Sequence, residues 1–160
     1  MNGTLTRQSL AVLTVSLLAL AACSSPAGSN TSSAPSTGDG QTIKVTLTEW
    51  AVVMDKTSAP AGSLTFEVTN AGTQFKHEFV VIKTDLDPAD LPADATGKVD
   101  EAGAGIEFIG EVEELAIGAS DTGSFDLTAG KYVLICNIVE AGAGHESHYT
   151  EGMRVAFTVS

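Results

Sequence analysis

The sequence predicts an all-β domain, a sandwich or a barrel, over residues 42–160. Three observations lead to this prediction. Apolar and polar residues alternate in several short segments, turn-forming residues separate those segments, and none of them shows the longer period of an amphipathic helix. Many short strands divided by frequent turns are typical of β-sandwiches and β-barrels.

Six segments carry the strand pattern, and their apolar faces are expected to form the core. In the first segment Ile43, Val45 and Leu47 share one face, because successive side chains of a strand point to opposite sides. The large side chains of Trp50 and Met54 are assigned to the core as well. The segments are TIKVTLTEW at 42–50, SLTFEVTN at 63–70, HEFVVIK at 77–83, SFDLT at 124–128, KYVLIC at 131–136 and MRVAFTV at 153–159.

An acidic insertion interrupts this pattern at 84–123. Within it, DPADLPADA predicts a short helical turn, with Asp87 before Pro88 as the start signal. The later stretch IEFIGEVEEL is expected to include a strand. The insertion therefore adds elements to the domain without changing its all-β class.

Ten acidic residues and a single basic one, Lys98, lie within 85–114. Asp85, Asp87 and Asp90 suggest a calcium loop, but their spacing lacks the glycine and terminal glutamate of an EF-hand. We therefore interpret the stretch as a solvated acidic face. Such a face can serve as a docking surface for a cationic partner.

Residues 1–22 have the pattern of an export signal. The apolar run at 10–22 has thirteen residues, which is shorter than the roughly 18–20 that span a bilayer. The run ends in LAAC, which resembles the lipobox of bacterial lipoproteins, so Cys23 is predicted to be lipidated. Ordinary cleavage after Ala22 is the alternative. Together with the lipidated cysteine, the Ser-, Gly- and Pro-rich stretch 23–41 is predicted to be a flexible tether.

Charge excludes one class of partner. Of the 8 basic residues one lies in 1–22, so the chain without that segment has 20 acidic residues against 7 basic ones. Nucleic-acid binding requires a basic surface and is not expected. Anionic lipid would also repel this chain, so membrane attachment is expected to come from acyl chains such as palmitate. A protein with a basic surface is the electrostatic match.

Potential metal ligands are concentrated near the C-terminus, with one histidine further upstream. Two imidazoles, a thiolate and a thioether form the ligand set of a trigonal blue-copper site. Structural zinc sites use four close ligands, often with Cys-x-x-Cys pairs, and the chain has no such pair. A lipidated first cysteine would also leave the second one without a disulfide partner. The candidate ligands are His77, Cys136, His145, His148 and Met153.

Three stretches make the chain resemble the cupredoxin family, the plastocyanin- and azurin-like blue copper proteins. They are VTNAGTQFKHEF around the first histidine, FDLTAGKYVLIC running into the cysteine, and HYTEGM before the last strand. The resemblance covers essentially all of 42–160. It implies a Greek-key β-sandwich and a single type 1 copper that carries one electron at a time between redox partners.

The resemblance assigns a role to each ligand. His77 and His148 correspond to the imidazole ligands, Cys136 to the thiolate and Met153 to the axial thioether. The spacing from His148 to Met153 matches the family, which favours His148 over His145 as the second imidazole.

Two departures from the family concern the surroundings of the ligands. Eleven residues, 137–147, separate Cys136 from His148, whereas short-loop cupredoxins have only a few. Closing a longer loop costs little, about 0.6 kcal/mol for each doubling of its length. The residue after the first histidine is Glu78, where many members have asparagine, so the hydrogen bonds between the two ligand segments are not predictable.

The expected function is electron transport rather than catalysis. A multicopper enzyme needs further histidine ligands, and the chain has only three histidines. The protein is expected to be exported and lipid-anchored to the outer face of the bacterial cell membrane, at the cell surface or on the periplasmic side. Copper storage, sensing or delivery is the alternative function, and a metal-free interaction domain is a more remote one.

Overall fold

The computed structural model describes residues 41–142 and 146–160, which fall within one compact unit, Ser36–Ser160. The predicted export signal, Cys23, the tether up to residue 40 and His145 lie outside the described residues. No helix in the described ranges is long and apolar enough to cross a membrane. The elements are β1 (Gln41–Thr48), β2 (Ala51–Met54), β3 (Ser58–Ala59), β4 (Gly62–Asn70), β5 (His77–Lys83), β6 (Glu107–Leu115), β7 (Ser120–Leu127), β8 (Gly130–Ile135), α1 (His148–Glu151) and β9 (Arg154–Val159).

Two mixed sheets form the domain. One has the strand order β2-β1-β4-β7 and the other β3-β9-β8-β5-β6. The pairs β1–β4 and β3–β9 are parallel, and the remaining neighbours are antiparallel. The predicted all-β sandwich is therefore confirmed.

The main core lies between the two sheets. Phe66 of β4 packs against Phe79 of β5 and Phe157 of β9, with ring centroids 5.2 and 5.9 Å apart. Each of these rings is at most 1% exposed. Burial of such large apolar side chains is the dominant favourable term in folding.

A second core lies on the opposite face of β5 and β8. Because side chains alternate along a strand, Val80 and Ile82 point away from the main core. They are covered by Leu91 and Val99 from residues 84–106, which we call the acidic segment. The segment therefore packs onto the five-stranded sheet, and this explains why β5 is apolar on both faces.

The prediction of a short helical turn within the acidic insertion is wrong. The chain makes a tight turn there instead, with the Asp90 amide donating to the Asp87 carbonyl over 2.9 Å. Pro92 is the physical reason, because a proline disfavours helical geometry at the residue before it. Among the described residues, Asp85, Asp87 and Asp90 do not form a group that could hold a metal ion.

Candidate metal centre

The ends of three elements carry the candidate ligands. His77 opens β5 and Cys136 directly follows β8, and these two strands are antiparallel neighbours. The start of β5 therefore lies beside the end of β8. His148 opens α1, and Met153 precedes β9. The fold thus brings residues that are distant in sequence to one end of the sandwich.

Three donor atoms converge in the interior. His77 Nδ1 lies 3.1 Å from His148 Nδ1, and Cys136 Sγ lies 3.2 Å from His148 Nδ1 and 3.9 Å from His77 Nδ1. All three side chains are fully buried. Among the described residues, these three form the one grouping of histidine, cysteine and carboxylate ligands that could hold a metal ion.

The spacing of these atoms fits a trigonal metal ion. Donors about 2.0–2.3 Å from a metal, as for nitrogen and thiolate sulfur, and 120° apart lie about 3.5–3.7 Å from one another. The observed separations of 3.1, 3.2 and 3.9 Å bracket these values. Two imidazoles and a thiol are also the donors that copper prefers. The site therefore fits the cofactor implied by the ligand set.

Burial sets the protonation of the three groups. It raises the pKa of the Cys136 thiol to about 12, although the amides of Glu78 and Ile138 act in the opposite direction. Burial also lowers the pKa of His77, with a further contribution from His148, and it lowers the pKa of His148. Without a metal the site holds neutral imidazoles and a protonated thiol. A bound cation would displace the thiol proton.

Met153 is connected to two of these ligands through the backbone. Its amide donates to the His148 carbonyl over 2.9 Å, and its carbonyl accepts from the Cys136 amide over 3.0 Å. The turn between α1 and β9 needs Gly152, which has φ +129°, and a Cβ there would lie 2.9 Å from the Trp50 carbonyl oxygen. Met153 is fully buried, and its backbone is therefore held next to Cys136 and His148.

Glu78 links the two ligand segments in place of the asparagine seen in many family members. Its amide donates to Cys136 Sγ over 3.4 Å, and its carboxylate oxygen Oε1 accepts from the Asn137 amide over 3.0 Å. Glu78 is not a candidate ligand, but these hydrogen bonds position the Cys136 thiol. Residues next to metal ligands commonly have this role.

The ligand loop, residues 137–147, folds back on itself before α1. The Glu140 amide donates to the Glu146 carbonyl and the His148 amide to the Ile138 carbonyl, each over 2.9 Å. Ser147 caps α1 by accepting from the Thr150 amide. His148 is thereby fixed at the first position of the helix.

The acidic segment braces the ligand loop, and sequence reasoning missed this contact. The Asn137 side chain accepts from the Val99 amide over 2.7 Å and donates to the Val99 carbonyl over 3.0 Å. Ser147 Oγ donates to the Gly97 carbonyl over 2.7 Å. Tyr149 Oη accepts from the Leu91 amide and donates to a carbonyl of the same segment. No local sequence pattern marks such long-range pairs.

Two aromatic rings cover His148. Trp50 lies 5.4 Å and Phe75 5.6 Å from the imidazole, measured between ring centroids. The assignment of Trp50 to the core holds only in part, because it is half-buried at the core's edge, as is Met54. Among the described non-glycine residues Trp50 alone has a positive φ, +68°. This conformation costs about 1–2 kcal/mol and marks a constrained position.

Comparisons with known proteins agree with this geometry. The chain is 26% identical to a reduced auracyanin from Roseiflexus castenholzii, over 77% of this chain and 99% of that one, with a TM-score of 0.53. Auracyanin B and reduced rusticyanin, at 22% and 18% identity, show the same fold. They cover 75% and 77% of this chain and 88% and 82% of their own, with TM-scores of 0.51 and 0.50. No protein-family profile and no curated sequence matches the chain.

The β-sandwich and its buried His–Cys–His grouping are those of a cupredoxin-like fold with a candidate type 1 copper site. Within that class it is similar to auracyanin in fold and in sequence. The resemblance inferred from the sequence is therefore confirmed.

Proposed function

We propose that this protein is a type 1 copper protein that carries single electrons between redox partners. The buried convergence of His77 Nδ1, His148 Nδ1 and Cys136 Sγ carries this proposal. Met153 would supply the thioether ligand. Copper, when bound, supplies the one-electron redox couple.

The residues around the candidate ligands keep the site rigid and exclude water from it. Both imidazoles and the thiol are fully buried, so water does not compete for the metal. The hydrogen bonds to Cys136 and the helix cap before His148 hold these ligands in place. A preorganised ligand set needs little rearrangement when the charge of the metal changes.

The visible spectrum tests the proposal. Cu(II) added to the protein is expected to give an intense thiolate-to-copper charge-transfer band, which Cys136→Ser abolishes. His148→Ala should also abolish the band, whereas His145→Ala, the matched control in the same part of the chain, should retain it. A colourless protein, or one with weak d–d bands only, would contradict a type 1 site.

We infer that the redox partner has a basic surface. The exposed residues Glu111, Glu113 and Glu114 of β6, together with the partly buried Glu78 of β5, line one depression on the strands next to His77. Lys76 pairs with Glu114 over 3.2 Å, whereas Glu111 and Glu113 form no salt bridge within the described residues and leave their charge free. Surface charge of this kind speeds encounter with an oppositely charged protein at low salt.

Ionic strength tests this inference. Association with a cationic redox protein should slow steeply as salt is added, and less steeply after Glu111→Gln and Glu113→Gln. Asp121→Asn and Asp126→Asn, which neutralise exposed carboxylates of β7 in the other sheet, are the matched control. Equal effects of the two double variants would rule out docking at the depression.

We propose further that the protein is exported and anchored by lipid at Cys23 to the outer face of the bacterial cell membrane. The support is LAAC at 20–23, followed by a Ser-, Gly- and Pro-rich stretch. Labelled palmitate should enter the protein in its bacterial host, and Cys23→Ser should release it from the membrane fraction. Incorporation that persists in Cys23→Ser would contradict the assignment.

A further inference from the structure

The ligand loop places a carboxylate against one of the two histidines. Glu140 Oε1 lies 3.2 Å from His148 Nε2, and the Glu140 side chain is 35% exposed. His148 Nε2 is buried and has no hydrogen-bond partner within the described ranges. The distance of 3.2 Å between Glu140 Oε1 and His148 Nε2 is within the range of a hydrogen bond. Only the angle at Nε2–H departs from hydrogen-bond geometry. The Glu140 side chain is partly exposed and therefore has room to rotate so that its oxygen lines up with Nε2–H.

We propose that Glu140 is a positioning residue, which accepts a hydrogen bond from His148 Nε2–H and so leaves Nδ1 free to bind the metal. This inference rests on the proposed copper site. It gives the ligand loop a role, because the loop supplies a carboxylate to a ligand of that site.

The backbone of the loop holds Glu140 in place. Its amide donates to the Glu146 carbonyl over 2.9 Å, and Val139 and Ser147 form a β-bridge. The His148 amide donates to the Ile138 carbonyl on the other side of the same turn. Glu140 directly follows one residue of the β-bridge and His148 directly follows the other, which fixes the position of one relative to the other.

The contact has two chemical consequences. A carboxylate that accepts from the free N–H of a ligating histidine fixes the tautomer and the ring orientation, and it makes the other nitrogen a stronger donor. A nearby negative charge also favours the more positive oxidation state of the metal. Glu140 should therefore lower the reduction potential of the copper.

The tautomer of His148 in the metal-free protein is the first readout. Long-range proton–nitrogen NMR correlations should place the imidazole proton on Nε2 in the unsubstituted protein. Glu140→Ala should shift the population toward the Nδ1–H form. Glu146→Ala, which removes the neighbouring exposed carboxylate, should not. An unchanged tautomer in Glu140→Ala would overturn the proposal.

The reduction potential of the copper-loaded protein is the second readout. Glu140→Gln should raise it, whereas Glu146→Gln, with the same change in charge, should leave it near the original value. Equal shifts in the two variants would mean that only net charge acts, and the positioning role would be overturned. Failure to bind copper would instead refute the proposed function, while the NMR measurement still decides whether Glu140 orients His148.

Discussion

Glu78 forms hydrogen bonds with two consecutive residues of the other ligand segment, with the Cys136 thiol through its backbone and with Asn137 through its side chain. Its amide donates to Cys136 Sγ, and its carboxyl group accepts from the Asn137 amide. Burial raises the pKa of this carboxyl group to about 7, with smaller contributions from the nearby carboxylates of Glu111 and Glu101. The group that joins the ligand segments is therefore costly to ionise.

Substitution of Glu78 should change how stability depends on pH. A folded-state pKa of about 7 lies above the usual value, so the folded protein holds the proton longer and loses stability as pH rises toward 7. Glu78→Gln keeps an acceptor for Asn137 and cannot ionise. The metal-free variant should gain up to about 3 kcal/mol near pH 8 and little near pH 4. Urea unfolding measures this, with exposed Glu113→Gln as the control. A gain that is equal at both pH values would contradict the prediction.

Tryptophan emission should report copper binding directly. Trp50 is the chain's one tryptophan and its ring lies 5.4 Å from that of His148. Cu(II) at this site should quench most of the emission, because a metal bound by His148 would lie close to the indole ring. Trp50→Phe should abolish the signal and retain the blue absorption band. Copper binding with undiminished emission would place the metal elsewhere.

The Cys136 thiol should resist alkylation in the folded, metal-free protein. Its pKa of about 12 and its full burial leave little reactive thiolate at neutral pH. Iodoacetamide followed by peptide mapping measures the adduct at Cys136. Cys136 should react at least about tenfold faster once the chain is unfolded in denaturant, because unfolding restores an ordinary thiol pKa. Similar rates in both states would show that the site opens readily.

Removal of the Asn137 side chain should loosen the acidic segment. Asn137→Ala leaves the buried amide and carbonyl of Val99 without partners, which should cost about 2–4 kcal/mol of unfolding free energy. Tyr149→Phe, which removes one hydroxyl group, should cost about 1–3 kcal/mol. Hydrogen exchange should rise across 84–106 in both variants. Destabilisation without faster exchange there would mean that the segment is not held by these bonds.

The strand pattern predicted most of the fold. The segment HEFVVIK at 77–83 coincides with β5, His77–Lys83. The alternation of Val155, Phe157 and Val159 likewise predicted β9. Periodicity succeeds in such segments because one face of each strand is buried. The edge strands β2 and β3, of four and two residues, are not predictable in this way because they are too short to show a period.

The surroundings of the ligands were less predictable than the ligands themselves. His77 and Cys136 stood out because their residue types are rare in the chain and chemically specific. The contact of Glu140 with His148 depends on how the ligand loop folds, and a single glutamate has no distinguishing sequence signal. The position of Trp50 over His148 depends on one left-handed backbone conformation, which its residue type does not favour.

The acidic segment and the ligand loop behave as one exchangeable module. Asn137 and Ser147, which hold the acidic segment, both lie in the loop that a short-loop cupredoxin lacks. Grafting a short loop onto this scaffold would therefore strip partners from buried backbone groups of 84–106. The same graft would succeed only with that segment removed as well. The acidic segment and the ligand loop, about thirty residues apart in sequence, would therefore have to be exchanged together in any redesign of the copper site.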